Sequence, residues 1–525
     1  MGTGRPCILA VDLGTSGLKV SVVGVQGDIL ALEEQGLRTY YRDEDKGVEQ
    51  DPKEWWQTIT ASIKKIFEKE PKLRKQVTCI SCTAHWSGTV PVNKEGEALG
   101  YAITWMDARG APFLDEKIRG ALHIEGYGLT KLWHWLRKSG GVPNKSGKDS
   151  LAHILFLKEK KTYAYLKAYK FLEPKDYLNL KFTGKFAASF DSIALHWVTD
   201  NRKIDKVRYD SKLLQIAGIE RDKLPDLFPS TSLLSTIRPE LAKELGLSPE
   251  VQVLVGSPNL QAAAVGSGAV ADYAAHLHVG SSSWLSCHVP KKKADLSKHL
   301  ASLPSAIPGR YFVANEQEAA GLCLHYLWET FAGVFKDLEG THPSYERLDQ
   351  LAKESVPGSR RVIFTPWING ERAPMENPLM RGGLHNLSLM NNASDIARSV
   401  YEGVAYNSKW LLDSVERFVH RRLDDICMIG GGSRSDLWCQ IHADVLNRKI
   451  LQIEEPKLAR LRGAAFLGAV AMGYVKFENI SQFVSIRKEY TPSREESDLY
   501  TQSFREFVAL YESNKDIYQR LNSSY

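Results

Sequence analysis

A short apolar run that ends in a carboxylate and a glycine-bounded turn opens the chain, and this feature constrains the fold most strongly. Residues 8–11 form the run, Asp12 follows it, and the turn Gly14-Thr15-Ser16-Gly17 leads into a second β-type run at residues 19–23. A third run, residues 29–33, follows another glycine turn. The start of the chain therefore predicts three antiparallel strands joined by tight turns.

Strand and helix signals then alternate. Asp51 precedes Pro52 at a predicted helix start, and Glu54 is placed to complete a capping box. Apolar residues recur behind it at helical spacing, and residues 77–82 read as a buried strand. Strands followed by helix and strand in alternation predict a layered α/β domain.

The same ingredients return in the second half of the chain. Residues 276–279 lead through a turn of small residues, 280–283, into a second apolar run at residues 284–289. This pattern resembles the opening hairpin and predicts a weak internal repeat, as two halves that face a common ligand would give, although so short a match also arises by chance. Further on we expect a helix over residues 394–418, a strand over 426–429 and a helix from near Ser435.

Composition narrows the class of protein. The 525 residues are 43% hydrophobic and 25% charged, which favours more than one globular domain. The net charge of +6 is spread thinly, without an arginine-rich run, so we expect no nucleic-acid partner. No apolar stretch approaches the roughly 18 residues of a membrane helix, so we expect no membrane association.

Cysteine usage predicts the compartment. The chain has seven cysteines, an odd number that does not form a disulfide framework. Cys79 and Cys82 lie within an apolar strand-like run, so we interpret them as core residues rather than as a redox or zinc pair. These features predict a reducing compartment, and the absence of an N-terminal leader pattern predicts the cytoplasm.

The opening turn has the chemistry of a phosphate site. Gly14, Thr15, Ser16 and Gly17 offer uncovered backbone N–H groups and two hydroxyls. Asp12 is a candidate magnesium-side carboxylate, direct or through water, and Lys19 could reach phosphates as a point charge. The alternative is purely structural: small residues are common in hairpin turns, and Lys19 would then be a solvated strand lysine.

A second candidate site follows the strand at residues 426–429. Gly430-Gly431-Gly432-Ser433 would let a flat adenine or a sugar lie against bare backbone at a helix start. The segment lacks the lysine of a Walker loop and the spacing of a dinucleotide fingerprint. The prediction of nucleotide binding therefore depends on the combination of turns.

In combination, these segments resemble the FGGY carbohydrate kinases of the sugar-kinase, actin and Hsp70-like superfamily. The resemblance extends over most of the chain, and xylulokinases are the nearest branch. Segments that carry it are Asp12 to Val20, Val48 to Trp56, Trp105-Met106-Asp107-Ala108-Arg109, Glu173 to Leu178, Thr365 to Pro374, Gly430 to Trp438, and Arg462-Gly463-Ala464-Ala465.

The resemblance implies an α/β fold of two ribonuclease-H-like domains around a central cleft, with domains at residues 1–255 and 256–525. It implies ATP and Mg²⁺ as cofactors, a sugar held by the N-terminal half, and a possible homodimer. Asp12 would face the metal. The nucleotide-binding residues would be Thr15, Ser16, Lys19, Gly280, Ser281, Gly321, Gly431, Gly432 and Ser435.

The sugar side of the cleft departs from the xylulokinase pattern. The family's G-Q-M-H-G segment becomes Ala84-His85-Trp86-Ser87-Gly88. By the resemblance, His85, Trp86, Trp105 and Asp107 are the candidate sugar-binding residues. His85 would donate to a sugar hydroxyl and Trp86 would stack on the sugar, unless Trp86 is simply a packed aromatic. D-xylulose is therefore not carried over as the substrate.

A further departure concerns the reaction itself. Where the family has its catalytic aspartate, this chain has Asn259, preceded by Pro258. An amide can orient a hydroxyl but cannot take its proton, and general-base help is worth roughly 10²- to 10⁴-fold. Candidate replacement bases in neighbouring motifs are Asp107, Glu316, Glu318 and Glu371.

Two functional hypotheses follow from Asn259. The first is an ATP-dependent kinase acting on a hydroxyl of a ketose or polyol, with another group in place of the aspartate. The second is a catalytically impaired homologue that still binds sugar or nucleotide. An Hsp70-like or actin-like binding protein is disfavoured, because it would have no use for the sugar-side W-M-D-A-R and N-G-E-R-A-P segments.

Overall fold

Two β-sheets organise the molecule, for which a computed structural model describes residues 5–336 and 345–523. The first sheet has the strand order β5-β6-β4-β1-β2-β3. Its strands are β1 (Cys7–Leu13), β2 (Gly17–Gly24), β3 (Ile29–Gly36), β4 (Val77–Ala84), β5 (Leu233–Thr236) and β6 (Gln252–Leu254). The predicted meander β1-β2-β3 is confirmed, and β4 runs parallel to both β1 and β6.

The second sheet has the order β9-β10-β11-β8-β7-β12-β13-β14. Its strands are β7 (Ala275–Val279), β8 (Ser283–Val289), β9 (Ala294–Asp295), β10 (Leu300–Pro304), β11 (Tyr311–Ala314), β12 (Asp425–Ile429), β13 (Lys449–Ile453) and β14 (Ile486–Tyr490). β7 pairs antiparallel with β8, while β12 lies parallel to both β7 and β13.

The two sheets share a topology. In each, an antiparallel unit is extended by two parallel strands and closed by an antiparallel edge strand. The antiparallel unit has three strands in the first sheet and five in the second, where β9 and β10 lengthen it. The hairpin β1-β2 of the first sheet therefore corresponds to β7-β8 of the second. This correspondence gives the weak sequence repeat a structural basis, and the two-domain α/β fold is as expected from the resemblance.

Helices cover the sheets. They are α1 (Pro52–Lys69), α2 (Ala111–Ile118), α3 (Leu129–Lys138), α4 (Ser150–Lys160), α5 (Thr162–Lys167), α6 (Pro174–Thr183), α7 (Ser211–Ala217), α8 (Pro239–Leu245), α9 (Asn259–Gly266), α10 (Gly321–Lys336), α11 (Tyr345–Lys353), α12 (Ala393–Val419), α13 (Asp436–Leu446), α14 (Ala459–Ala471) and α15 (Arg494–Asn522). The helices predicted after Asp51, over residues 394–418 and from near Ser435 are all present.

One detail of α1 differs from the sequence prediction. Asp51 caps the helix by accepting from the backbone N–H of Lys53 at 2.9 Å. Glu54 does not complete a capping box, because its carboxylate accepts from the backbone N–H of Arg38 at 3.3 Å. A reciprocal capping box occurs instead at the start of α12, between Asn392 and Asp395.

Short strands join the loops around the two sheets. They are Tyr40–Arg42, Gly47–Gln50, Val90–Val92, Ala102–Ile103, His123–Ile124, Tyr127–Gly128, Lys170–Leu172, Ala187–Ser189, Thr199–Asp200, Arg208–Tyr209, Asp226–Phe228, Ile363–Thr365 and Gly383–His385. Cys79 and Cys82 are fully buried free thiols in β4, which agrees with their interpretation as core residues.

Helices α9 and α14 cross in close contact. A Cβ on Gly266 would lie 1.7 Å from the carbonyl oxygen of Ala459, and a Cβ on Gly463 would lie 1.7 Å from that of Ala262. Glycine is therefore required at both positions for the backbones to approach. We propose residues 1–255 and 256–525 as the two domains, since the strands of the first sheet end at Leu254 and those of the second begin at Ala275.

Candidate active site between the two sheets

Three predicted site residues emerge at one edge of the first sheet. Asp12 lies near the carboxyl end of β1, His85 directly follows β4, and Asn259 follows β6 across a four-residue loop. Because β1, β4 and β6 are parallel, their carboxyl ends share this edge. Asp12 is opposite Thr83, whose hydroxyl donates to the carbonyl of Ser257 at 2.8 Å. The edge therefore places the candidate metal ligand, the sugar-side histidine and the base position on adjacent strands.

The loop before Asn259 is held by buried polar groups. Lys175 and Asn179, both on α6, donate to the carbonyl of Val255 at 2.8 Å and 2.6 Å. The hydroxyl of Ser257 donates to the carboxylate of Asp191, which also accepts from Ser230 at 2.8 Å. Because these partners are themselves buried, the loop presents Asn259 in one fixed position.

Several buried polar atoms at this edge have no hydrogen-bond partner. They are Oδ1 of Asp12, both ring nitrogens of His85, and Oδ1 of Asn259. The three side chains are 3%, 3% and 6% exposed. An unsatisfied buried polar group costs about 1–3 kcal/mol, so four such atoms on neighbouring strands mark a place where a ligand supplies the partners.

Electrostatics at this edge are set by burial. Burial raises the pKa of Asp12, while the charges of Arg460 and then Lys19 act in the opposite direction. Burial lowers the pKa of His85 to about 4. The imidazole of His85 is therefore neutral at pH 7, with one nitrogen free to accept and the other free to donate.

The edge fits a magnesium ion that arrives with a nucleotide. Mg²⁺ in such sites takes one or two carboxylates and otherwise phosphate oxygens and water. Asp12 offers one unpartnered carboxylate oxygen. Within residues 5–336 and 345–523, no group of three or more His, Cys, Asp or Glu side chains could hold a metal by itself.

A cavity of about 900 Å³ is lined by the hairpin that carries Asp12, and most of the predicted nucleotide-binding residues line it. Ser16 and Lys19 from the first sheet's hairpin line it, opposite Gly280 and Ser281 from the second sheet's hairpin. The same cavity is lined by Gly321, Gly431, Gly432 and Ser435. Eight of the nine predicted residues thus surround one space, and the ninth, Thr15, is not among its lining residues.

The three consecutive glycines that line this cavity, Gly430 to Gly432, differ in why a side chain is absent. A Cβ on Gly430 would lie 2.4 Å from the carbonyl oxygen of Val279, and one on Gly432 would lie 2.6 Å from Val279 Cγ1. Packing therefore requires both glycines. A Cβ on Gly431 would have no heavy atom within 4 Å, so the fold does not explain its missing side chain. Binding of a nucleotide against the bare backbone of Gly431 stays a prediction.

Thr15 and Trp105 form a support for the first hairpin turn. The indole N–H of Trp105 donates to the hydroxyl of Thr15 at 2.9 Å, and Gln50 donates to the carbonyl of Thr15 at 2.6 Å. The guanidinium of Arg372 lies 5.8 Å from the ring centroid of Trp105. Both predicted residues are therefore close to the cleft, but their polar groups are used to fix the turn.

Trp86 and Asp107 have structural partners of their own. The indole N–H of Trp86 donates to the carbonyl of Ser192 at 2.9 Å within a buried apolar cluster, which is the packed-aromatic alternative. The carboxylate of Asp107 accepts from the backbone N–H of Val48 at 2.8 Å and is paired with Arg109 at 2.7 Å. Sugar contacts by these two residues stay predictions.

The candidate replacement bases are similarly engaged. Asp107 is held as just described. Glu316 and Glu318 both pair with Arg372. Glu371 accepts from Asn407 at 2.6 Å and from the backbone N–H groups of Glu318 and Arg372 at 3.0 Å and 2.8 Å, and burial raises its pKa to about 7. Each of the four carboxylates is therefore held by protein donors.

Sequence reasoning missed several residues of the cavity, among them Arg460 and His278. The ring of His278 stacks on Trp284 with centroids 3.8 Å apart and an interplanar angle of 9°. Arg460, near the start of α14, donates to Nε2 of His278 at 3.4 Å. Neither lies in a recognisable motif; the only signal was an arginine at the start of a helix otherwise rich in small residues.

Comparison with known proteins decides the family. Residues 7–266 match the N-terminal domain model of the FGGY family of carbohydrate kinases, and residues 277–472 match its C-terminal domain model. This chain belongs to the FGGY family. It is a carbohydrate kinase, a class of enzyme that phosphorylates small sugar substrates from ATP.

Curated relatives of this kinase include xylulose kinases and gluconokinases. It is 27% identical to a xylulose kinase of Staphylococcus epidermidis over 98% of both chains. It is 24% identical to a gluconokinase of Bacillus subtilis, over 96% of this chain and 95% of that protein. The predicted resemblance to the xylulokinase-like branch is confirmed.

Solved structures confirm the two-domain fold of the kinase. A gluconate kinase from Lactobacillus acidophilus superposes with a TM-score of 0.85 and 23% identity over 99% of this chain and all of that one. A xylulose kinase from the same organism gives the same TM-score and identity over 98% of this chain. No helix in the described part of the kinase is both long enough and apolar enough to cross a lipid bilayer.

Proposed function

We propose that this protein is an active kinase whose acceptor is a hydroxyl of an open-chain ketose, polyol or related sugar such as xylulose or gluconate, the sugars named in its relatives. The proposal depends on one hairpin that takes part in two features. The β1–β2 hairpin lines the cavity together with the second hairpin and Gly431. The same hairpin carries Asp12, which with His85 and Asn259 leaves buried polar atoms unpaired at the sheet edge.

The residues divide the work of phosphoryl transfer, which needs positioning and charge neutralisation more than covalent chemistry. Ser16 and Ser281 offer hydroxyls from the two hairpins, and Lys19 offers a positive charge. Mg²⁺, held by Asp12, would neutralise charge that develops between the last two phosphates of ATP. Asn259 and His85 would each hydrogen-bond the acceptor sugar and orient its hydroxyl.

Asn259 also supports a second candidate, an impaired homologue that binds ligands without turnover. A primary amide has no basic oxygen or nitrogen at pH 7, and the neighbouring carboxylates are occupied by protein donors. Against impairment stands the maintenance of the site: both hairpin turns, Gly431 and the buried network behind the Asn259 loop are intact. A silenced protein has less need of all of them together.

The deciding experiment measures ADP release by the purified protein with MgATP and a panel of ketoses, polyols and aldonates. Asn259→Asp is measured beside the wild type. Turnover by the wild type on one of these sugars supports the active kinase. Wild-type rates at background, together with turnover by Asn259→Asp, refute activity and establish the impaired homologue.

Two further features are proposals of the same kind. We propose a homodimer, on the family resemblance alone, and light scattering of the purified protein tests it. We also propose the cytoplasm, supported by seven cysteines that all remain free thiols, six of them buried. Fractionation of the source cells tests this location.

A further inference from the structure

Arg460 is a cation of the cavity without an acidic partner. It lines the cavity together with Ser16, Lys19 and Ser281. Two other cations that line this cavity lie near carboxylates: Lys19 is 4.0 Å from Glu34, and Arg487 is 3.7 Å from Asp436. Arg434 and Lys457 also line the cavity, but they are exposed, whereas Arg460 is partly buried. Within residues 5–336 and 345–523, no carboxylate lies within salt-bridge distance of the Arg460 guanidinium. A partly buried guanidinium without an anion is a recognition site for one.

Arg460 faces the cavity between the two hairpins. It lines this space with Ser16 and Lys19, from the hairpin that carries Asp12, and with Ser281, from the second hairpin. Its guanidinium therefore faces the space where the phosphates of a nucleotide held by both hairpins would lie.

A charge effect agrees with this position. The charge of Arg460 lowers the pKa values of His85 and His278, although burial is the larger cause for both. The guanidinium is therefore close to the sugar-side histidine as well as to the second hairpin, where nucleotide and sugar would meet.

His278 and Trp284 hold the guanidinium in place. A guanidinium has only donors, so Nε2 of His278 accepts its hydrogen bond, and burial keeps the pKa of His278 well below its ordinary value. The His278 ring stacks on Trp284, and the indole N–H of Trp284 donates to Nε2 of His276 at 3.0 Å. Arg460 lies over the same indole at 5.8 Å.

We propose that Arg460 is a catalytic residue that contacts the transferred γ-phosphoryl group of ATP and stabilises its charge in the transition state. This inference rests on the proposed kinase activity. In the transfer, the sugar oxygen bonds to the γ-phosphorus as the bond from that phosphorus to the bridging oxygen of ADP breaks, and the hydroxyl proton is released to water. Arg460 takes no proton; it donates hydrogen bonds to the phosphoryl oxygens. His278 and Trp284 are positioning residues for it.

Nucleotide binding tests the contact independently of turnover. Affinities for ADP and for β,γ-imido ATP are measured by calorimetry with MgCl₂, for the wild type and Arg460→Met. Loss of a charge-assisted contact to the γ-phosphoryl lowers affinity for the imido analogue by about 10- to 100-fold, while ADP affinity changes less than threefold. Equal losses for both nucleotides would place Arg460 on the inner phosphates and overturn the proposal.

Lys457→Met is the matched control, because Lys457 is an exposed cation that lines the same cavity three residues earlier. We expect it to weaken both nucleotides by a similar, smaller factor. A control that loses the imido analogue selectively, as Arg460→Met does, would mean that general charge rather than contact is responsible, and the proposal would fail.

Kinetics supply the catalytic test on a sugar that the wild type phosphorylates. Arg460→Met should lower kcat by about 10²- to 10³-fold with the sugar KM within threefold, and Arg460→Lys should recover part of kcat. Unchanged kcat in Arg460→Met overturns the proposal. If the wild type has no turnover, the kinase activity fails, while the ADP and imido-ATP affinities still decide the contact. A thermal unfolding curve confirms that each variant is folded.

Discussion

Gly431 and Gly432 are adjacent glycines for which the structure predicts opposite consequences of adding one methyl group. In Gly432→Ala, the new Cβ would lie 2.6 Å from Val279 Cγ1 and 2.8 Å from Trp438 Cζ3. Carbon atoms prefer about 3.5–4.0 Å. Trp438 cannot retreat easily, because it is buried and its indole N–H donates to the carbonyl of Tyr401 at 3.0 Å. Overpacking of this kind costs about 1–3 kcal/mol.

Gly431→Ala meets no such obstacle. The backbone of Gly431 is already in the right-handed helical region, with φ −63° and ψ −38°, and no heavy atom lies within 4 Å of the added Cβ. Replacing glycine at a compatible position stabilises a protein by about 0.4–1 kcal/mol. If ATP lies on this backbone, however, the methyl group occupies its space. The same overpacking cost of about 1–3 kcal/mol then reduces the free energy of ATP binding, which lowers the affinity about 5- to 150-fold.

The assay compares apparent unfolding midpoints in guanidinium chloride with calorimetric ATP affinities for the two variants and the wild type. We expect Gly431→Ala to unfold at or above the wild-type midpoint and to bind ATP at least fivefold more weakly. Gly432→Ala should unfold earlier. A Gly431→Ala variant that binds ATP as the wild type does would refute the placement of the nucleotide on Gly431. A Gly432→Ala variant of unchanged stability would refute the packing argument.

Three further predictions concern the carboxylates. Asp12→Asn should raise the Mg²⁺ concentration for half-maximal turnover at least tenfold, measured by titrating MgCl₂ at fixed ATP; an unchanged curve would remove Asp12 from the metal site. Asp107→Asn should cost about 1.5–3 kcal/mol in unfolding free energy, because Arg109 loses a charged partner, while kcat stays within threefold; a large fall in kcat at full stability would restore Asp107 to the sugar site. Burial raises the pKa of Glu371 from 4.5 to about 7, so the folded protein binds this proton more tightly than the unfolded chain. Its contribution to stability is therefore present below pH 4.5 and is lost between pH 4.5 and 7. From pH 5 to pH 8, the free energy of unfolding should fall more for the wild type than for Glu371→Gln. Equal falls in the two proteins would contradict the raised pKa.

Much of the fold could be predicted because its signals are local. The meander after residue 7 depends on alternating apolar runs and on glycines in tight turns, and the start of α1 depends on Asp51 and Pro52. The strand β6 could not be placed this way: Gln252–Leu254 has three residues, and only its parallel pairing with β4 makes it a strand. Similarly, Glu54 fits a capping box by spacing, but the nearby N–H of Arg38 competes for its carboxylate.

The site was predictable where a turn carries its own chemistry. Ser16, Lys19, Gly280, Ser281 and Gly431 lie in short segments whose residue types indicate phosphate or nucleotide binding. Sequence alone does not show which buried polar groups lack a hydrogen-bond partner, because this depends on contacts between residues that are distant in sequence. Asp107 and Asp12 are both buried aspartates.

Contacts separate the two aspartates. Asp107 is satisfied by Val48 and Arg109, whereas Asp12 keeps one oxygen unpaired. Arg460 escaped prediction for the same reason, because it reaches the cavity only through the packing of α14 against distant parts of the chain.

The surroundings of Asn259 show what an aspartate would meet at that position. Position 259 is 6% exposed, close to the 3% of Asp12, whose pKa burial already raises. A carboxyl group there would be desolvated to a similar extent, partly offset by its place in the first turn of α9, where the helix dipole stabilises negative charge by about 0.3–1 kcal/mol. Its raised pKa would make it a stronger proton acceptor once ionised, but an effective one only above that pKa. With Asn259, the site avoids a second buried charge in addition to Asp12. The sugar hydroxyl then has no carboxylate at this position to accept its proton. Catalysis must therefore depend more on groups that stabilise the negative charge of the phosphoryl group.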